Sequence, residues 1–368
     1  MRELCCHGHT LRHGARAFHW SFTFRSPFIS TKSTAKDKYA LVTTAHLAPP
    51  PPREITTEPR RSDKVFRAIV STGAMASLII LGLILLFLSI KGIHILNEER
   101  LKFITSSSWE VITDENGNIA EANFGIAAML IGTLLCAAIA IVIGVSISVL
   151  SAIYLVFFAK GKVKTFLISA IDLMAAFPSL LFGFWGFFVF MSSGEYWAKL
   201  LHKYLGFIPL FDVPAPIFER SPFIAGLVLS IMIIPIVTSV SREVFDQTPL
   251  DRIQASYALG SSKFSMIRFV ALPYARSGII GGAMLGLGRA MGETVAVYTV
   301  LNVVYQINWH VLFGAGGNIA SLILLKFGEA GPYEVDALMA AGLVLFLLTL
   351  FVNASADYLV NKLGKKGR

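Results

Sequence analysis

Charge is what this chain has least of. Asp, Glu, Lys and Arg make up 15% of its 368 residues, against about 25% in an ordinary soluble domain. Hydrophobic residues fill 55% of the positions instead, so the polar shell of a soluble fold is missing. Cysteine is scarce as well. Cys5 and Cys6 are adjacent and Cys136 lies inside an apolar run, which supports neither a disulfide framework nor a metal site by spacing. There is no G-x-x-x-x-G-K-[ST] phosphate loop, no H-E-x-x-H and no G-x-S-x-G. The sequence therefore offers no catalytic residues and no means of hydrolysing ATP. Energy for any work it does comes from a partner or a gradient. Two matching halves, frequent in secondary transporters, are also absent.

What is present is a set of apolar runs at or above the ~20 residues that cross a bilayer. Six spans are expected: about Ala68–Ile90, Phe124–Ala159, Phe166–Met191, Phe223–Val240, Ser277–Val303 and Val335–Tyr358. The second exceeds what a bilayer needs and reads as one tilted helix. Pro178 and Pro235 interrupt the third and fourth, because proline frees a backbone carbonyl and clashes with the preceding turn. Each reads as a kink shaping the bundle, or as an opening for polar groups, with Ser179, Thr238 and Ser239 near enough to satisfy the freed carbonyls. The net charge of +9 does not form a nucleic-acid face, since the basic residues flank the spans. Arg60, Arg61, Lys64, Arg67, Lys160, Lys162, Lys164, Arg242, Arg252, Lys263, Arg268, Arg276 and the Lys/Arg of 362–368 fall on one side. The positive-inside rule puts that side, with both termini and residues 241–276, in the cytoplasm.

Residues 1–41 are rich in His, Arg, Phe and Ser and poor in acids. They read as a targeting segment, a disordered tail, or an extension ahead of a native start near Val42, the last being preferred. The organisation expected is a tail over 1–64 with a stiff proline run at 49–52, a membrane domain over 65–364 and a basic end at 365–368. Between the first two spans, Asp114-Glu115-Asn116-Gly117-Asn118 signals the turn of a small extracytoplasmic hairpin.

The segment 241–293 carries most of the functional reading. Thr248 can cap a helix, Pro249 suits its first position, and Asp251 sits in its first turn. Leu250, Ile253 and Tyr257 share one face, and Gly260 can close the helix in a left-handed conformation. Ser261 or Ser262 can cap a second short helix through Lys263, Phe264, Ile267 and Arg268, closed by Pro273. Two amphipathic helices joined by a glycine between spans form either a docking element or an interfacial loop.

The succession Gln254-Ala255-Ser256, then Gly260, then Leu272-Pro273 resembles the EAA loop of ABC-importer permeases, with Gln254 in place of the usual Glu and Ser256 in place of the second Ala. Ala175-Ala176-Phe177-Pro178-Ser179, Phe184-Trp185-Gly186, Ile233-Ile234-Pro235, Ser241-Arg242-Glu243-Val244-Phe245-Asp246-Gln247-Thr248-Pro249 and Gly286-Leu287-Gly288-Arg289-Ala290-Met291-Gly292-Glu293-Thr294 are similar to the PstC family. These are permease subunits of the bacterial phosphate-specific ABC importer. The likeness runs from about Lys64 to Gly364. It implies an all-α fold with an ATPase-coupling loop at 248–273 in the bacterial cytoplasmic membrane. It also implies ATP and Mg on a partner ATPase, with a PstA-type permease, a PstB-type ATPase dimer and a PstS-type phosphate-binding protein as partners.

Arg289 and Glu293 fall inside the fifth span, where a charge costs roughly 2.5 kcal/mol or more. On a helical wheel they lie within about 80° of Gly278, Gly282 and Gly286, a stripe of small residues that lets another helix approach. The expectation is an i, i+4 ion pair facing the bundle. It serves either as a packing device or as part of an anion path in which Arg289 binds phosphate oxygens and Glu293 moderates its field. Asp172 is a candidate partner for a basic residue, and Arg242 and Glu243 read as interfacial anchors. The resulting expectation is a permease subunit passing inorganic phosphate inward. Another oxyanion such as sulfate or molybdate, a proton-coupled transporter and a membrane scaffold or sensor are the rival readings.

Overall fold

Leu, Ile and Val in runs of this length leave the backbone no hydrogen-bonding partner in a bilayer except itself, and the runs accordingly fold as helices. A computed structural model describes residues 61–113 and 119–365. The expected tail up to 60, with Val42 and the proline run, lies outside the described residues. So do the turn at 114–118 and the end at 366–368.

Helix α1 (Arg61–Glu99) is 39 residues long, starts ahead of the expected Ala68 and crosses the expected division at 64/65. None of its residues from 61 to 90 is buried by the rest of the chain. Only its last turns engage, where Gly92 lies against the backbone of Ala340 at 2.8 Å from where a Cβ would stand. A short α2 (Lys102–Thr105) leads to β1 (Trp109–Thr113), which pairs antiparallel with β2 (Ile119–Phe124), Trp109 opposite Phe124 and Val111 opposite Ala122. The expected hairpin is there. The Trp109 and Phe124 rings are 4.9 Å apart, and the Trp109 indole N–H donates to Glu334 at 2.7 Å.

Helix α3 (Ala127–Ile153) continues through a π-turn at Tyr154–Phe158 to give 32 residues. At about 1.5 Å per residue this is ~48 Å, well beyond a bilayer's apolar core. Then α4 (Gly161–Ala175) stops short of Pro178, and α5 (Ser179–Trp185), a π-turn at Gly186–Phe190 and α6 (Met191–Leu205) follow. The two helical stretches meet at 95°. The third span is therefore not a kinked helix over Phe166–Met191. Pro178 removes an N–H and drives its neighbour out of the helical region, and the chain turns a corner there. Pro235, by contrast, lies inside α7 (Pro222–Asp246), which stays helical on both sides of it. Next to it, Ser148 on α3 donates to the Ile234 carbonyl at 3.2 Å and the Thr238 hydroxyl donates to the Ser148 carbonyl at 3.5 Å.

Beyond α7 come α8 (Leu250–Ala258), α9 (Lys263–Met266), a π-turn at Ile267–Ala271 and α10 (Leu272–Gly292). Then follow α11 (Val295–Val300), α12 (Ile319–Phe327) and α13 (Pro332–Lys365). The last was expected at Val335–Tyr358 and is longer at both ends. Among the described residues five helices are long and apolar enough to cross a membrane, and the bent pair at Pro178 makes a sixth if counted as one span.

Residue-to-residue contacts fix the directions. Cys136 lies by Pro222, Gly144 by Ile233 and Phe157 by Phe245, so α3 and α7 run parallel. Gly278, Gly282 and Gly286 of α10 lie against Val244, Val240 and Val237 in that order, so α10 runs antiparallel to α7. The bundle thus has two ends. At one, Ala152, Phe245, Met266, Ile267 and Ala271 form a buried cluster that joins α3, α7 and the α8–α10 segment. At the other, Ile95, Phe103, Trp109, Phe124, Met129, Leu322 and Leu338 bind the hairpin to α1, α12 and α13. Tyr305 packs against that second cluster, and burial, with Glu334 adding to it, pushes its phenol up to about 12.

Candidate functional site

The segment expected to dock a partner starts with a correction. Thr248 does not cap α8. Its N–H still bonds the Phe245 carbonyl at the end of α7, and its hydroxyl is buried without a partner. The position before the helix belongs to Pro249, with no side-chain cap. Gly260 takes φ 79°, Ser261 N–H reaches back to the Ser256 carbonyl and Gly260 N–H to that of Tyr257, a paired closure that only a left-handed residue permits. Ser262 caps the next turn, accepting from Ser265 N–H at 3.2 Å.

Pro273 does not close a second short helix. Residues Lys263–Gly292 form one continuous helix of 30 residues. The widened turn ahead of Pro273, where Leu272 N–H bonds the Ile267 carbonyl, absorbs a residue that could not have fitted a regular turn. The apolar stripe is split as well. Ile253 and Ser256 face the bundle, whereas Leu250, Tyr257 and Leu259 face away, Leu250 70% and Leu259 88% exposed. Gln254 and Ala255 are exposed beside them. Arg252 reaches the Tyr274 ring at 5.7 Å and Lys263 the Phe158 ring at 4.2 Å, tying this apolar tip to α10 and α3.

At the far end of the same helix, the expected Arg289–Glu293 ion pair is absent among the described residues. α10 ends at Gly292, and Glu293 is its closing residue, with ψ 125° turning the chain that follows out of the helix. Glu293 is 8% exposed. Its carboxylate accepts from Ala296 N–H at 3.4 Å, at the start of α11, and its carbonyl accepts from Asn318 Nδ2 at 2.7 Å. Asn318 in turn caps α12 by accepting from Ser321 N–H at 2.7 Å, and the Thr133 hydroxyl of α3 accepts from Ile319 N–H at 3.1 Å. Glu293 is thus the knot of α10, α11, α12 and α3. Arg289 stands one turn before it and is exposed on the surface of the single chain, not turned into its bundle. The glycine stripe does pack inward: a Cβ at Gly282 would come within 3.1 Å of Val240 and one at Gly286 within 2.9 Å of Val237. Asp172 and Glu243 are exposed and Arg242 half-buried, with Asp172 in no ion pair among the described residues.

Residues 141–365 match the family model described as "Binding-protein-dependent transport system inner membrane component". The chain is 38% identical over 300 residues to "Phosphate transport system permease protein PstC 2" of Mycobacterium tuberculosis, spanning 81% of this chain and 91% of that protein. It is 35% identical over 305 residues to the protein PstC of Haemophilus influenzae, spanning 82% and 94%. The chain belongs to the PstC family. Among solved structures, a chain of the MetNI methionine ABC transporter in inward-facing conformations is similar at 18% identity with a TM-score of 0.45, spanning 65% of this chain and 94% of that one.

A PstC-family chain is a multi-pass protein of the cytoplasmic membrane and a transport subunit, not an enzyme. It works within an ABC importer in which another permease and an ATPase take part. Two elements of this PstC-family site were missed in the sequence. Asn318-Ile319-Ala320-Ser321 is a capping signal before an apolar run, and it announces α12 just after Gly314, Gly316 and Gly317. Thr133 gave no signal: its hydroxyl matters because Gly132 beside it has no room for a Cβ against the Gly317 carbonyl.

Proposed function

We propose that this chain is the subunit that passes inorganic phosphate inward, paired with a PstA-type permease, driven by a PstB-type ATPase dimer that binds ATP and Mg, and supplied by a PstS-type binding protein. Similarity to phosphate permeases over four-fifths of the chain supports the substrate. The observation that carries the mechanism is that one helix links both working ends. The exposed apolar tip at Leu250, Tyr257 and Leu259 suits a partner's surface, and the basic residues beside it support a cytoplasmic side for it. Through the closure at Gly260 it adjoins the continuous helix Lys263–Gly292, about 45 Å long at ~1.5 Å per residue, which carries Arg289 in its last turn. ATPase closure pushes α8, the helix moves as a rod, and Arg289 shifts relative to the second permease.

Arg289 has the chemistry for the cargo. Its planar guanidinium donates parallel hydrogen bonds to phosphate oxygens. Being exposed on this chain, it faces a seam that the second permease completes. Glu293 does not neutralise it by direct pairing. It fixes the break after Gly292, so that α10 ends and Arg289 sits at a set height. Arg289→Gln is expected to abolish uptake of radiolabelled phosphate while the full complex still purifies and hydrolyses ATP. Wild-type uptake by that variant would remove Arg289 from the path. Uptake of sulfate but not phosphate by the unsubstituted complex would overturn the substrate.

A further inference from the structure

A second cationic position lies in a groove of about 570 Å³ at the opposite end of the bundle from α8, within the ~300–1,000 Å³ range of small-molecule sites. Its walls are Phe184, Phe187 and Phe188 on one side and the end of α11 with the following loop on the other. Among the residues lining it, Arg220 is the one charged side chain; Tyr298, Thr299 and Asn302 supply the polar groups. Arg220 sits just ahead of α7 at φ 51°, a left-handed conformation that side chains other than Asn and Asp seldom adopt. Such strain persists where surrounding structure enforces it, and it is a pointer to function.

The side chain is held from two directions. Nη1 donates to Asn302 Oδ1 at 2.5 Å, and the guanidinium lies 4.9 Å from the Phe187 ring centre. Asn302 is neutral, so this contact does not offset the guanidinium charge, and it engages one of the five N–H donors of the fork. The Phe187 ring covers one side of the guanidinium, and among the described residues no ion pair involves Arg220. The wall is itself closely set: Gly183 leaves α5 room to lie on α11, since a Cβ there would meet Thr299 Oγ1 and, at 2.8 Å, Ala296 Cα. The groove thus borders α11, the element that Glu293 hinges to α10.

We propose that Arg220 is a second anion station of the path. It receives phosphate at the extracytoplasmic mouth, as the binding protein releases it, and hands it towards Arg289. This rests on the phosphate reading and on its orientation. Asn302 is the positioning residue, holding the fork across the groove, and the remaining N–H groups bind two oxygens of the anion.

The test uses the complete transporter, with Val304→Cys as a reporter in the same groove, its labelling by a polar thiol reagent read at its own peptide. Inorganic phosphate is expected to slow that labelling when Arg220 is present and to have no effect in Arg220→Gln. Arg220→Gln is further expected to lower maximal phosphate uptake about tenfold, the worth of a charge-assisted hydrogen bond, with Arg220→Lys restoring most of it. Unchanged uptake in Arg220→Gln overturns the proposal while leaving the transport reading intact. So does failure of phosphate to protect the reporter with Arg220 present, a result that needs no Arg220 variant to fold. Absence of phosphate uptake by the unsubstituted complex would instead overturn the transport reading, and this proposal with it.

Discussion

Asn318 makes the difference between an arginine on a helix and an arginine at a defined height. Its carboxamide oxygen caps α12 and its nitrogen holds the Glu293 carbonyl, so one side chain fixes the end of α10. The two duties separate chemically. Asn318→Ala loses the cap, worth about 1 kcal/mol, and leaves a buried carbonyl unsatisfied, worth roughly 1–3 kcal/mol more. Asn318→Asp keeps an acceptor for Ser321 N–H but cannot donate to Glu293. The expected outcome in the purified complex is a lowered melting temperature for Asn318→Ala. For Asn318→Asp, which keeps the cap but sets a buried carboxylate against the Glu293 carbonyl, the melting temperature falls at least as far and phosphate uptake drops well below wild type. Equal uptake in Asn318→Asp and wild type would mean that anchoring the Glu293 carbonyl does not matter to the path. The sequence could not have revealed this. The partners are 25 positions apart, and the wheel that aligned Arg289 with Glu293 assumed a helix that stops between them.

Among the elements, α10 shows most plainly what periodicity can and cannot disclose. The four-residue spacing of Gly278, Gly282 and Gly286 marks a close helix contact, and those glycines lie on the valine ridge of α7. Gly281, one position away, has nothing within 4 Å of where a Cβ would stand. Gly286→Leu is therefore expected to destabilise the isolated chain by about 1–3 kcal/mol or more through overpacking. Gly281→Ala is expected to be neutral or stabilising by up to about 1 kcal/mol, the ordinary helix preference. Thermal unfolding of the two variants in detergent checks the contrast, and similar losses for both would deny that the stripe is a packing face. Spans were legible because length and apolarity dictate them. The break at Pro178 was legible too; how far each proline diverts its helix was not, because that depends on its surroundings: Pro178 turns a corner of 95°, Pro235 is carried within a continuous helix beside Ser148 of α3, and Pro273 is accommodated by a π-turn.

For the molecule as a whole, the mechanism we propose makes that π-turn the element that sets how a push at α8 would be felt at Arg289. A widened turn carries an extra residue, so it sets the rotation of α8 and α9 about the axis of α10. Arg252 against Tyr274 and Ile253 in the buried cluster of Phe245 and Met266 then lock α8 in that orientation. Without the widened turn, α8 would present another face to the partner proposed to dock there. Pro273→Ala restores the missing N–H and removes the ring clash that disfavours a regular turn. The helix can then rewind, carrying Leu250, Tyr257 and Leu259 around by up to a residue's rotation, about 100°. The expected result is a complex that still assembles and hydrolyses ATP but moves fewer phosphate ions per ATP consumed, measured by paired uptake and hydrolysis assays in proteoliposomes. If that ratio stays at the wild-type value, the rod transmits its push without regard to the register set at Pro273, and the orientation of α8 would have to be fixed by its contacts with α3 and α7 alone.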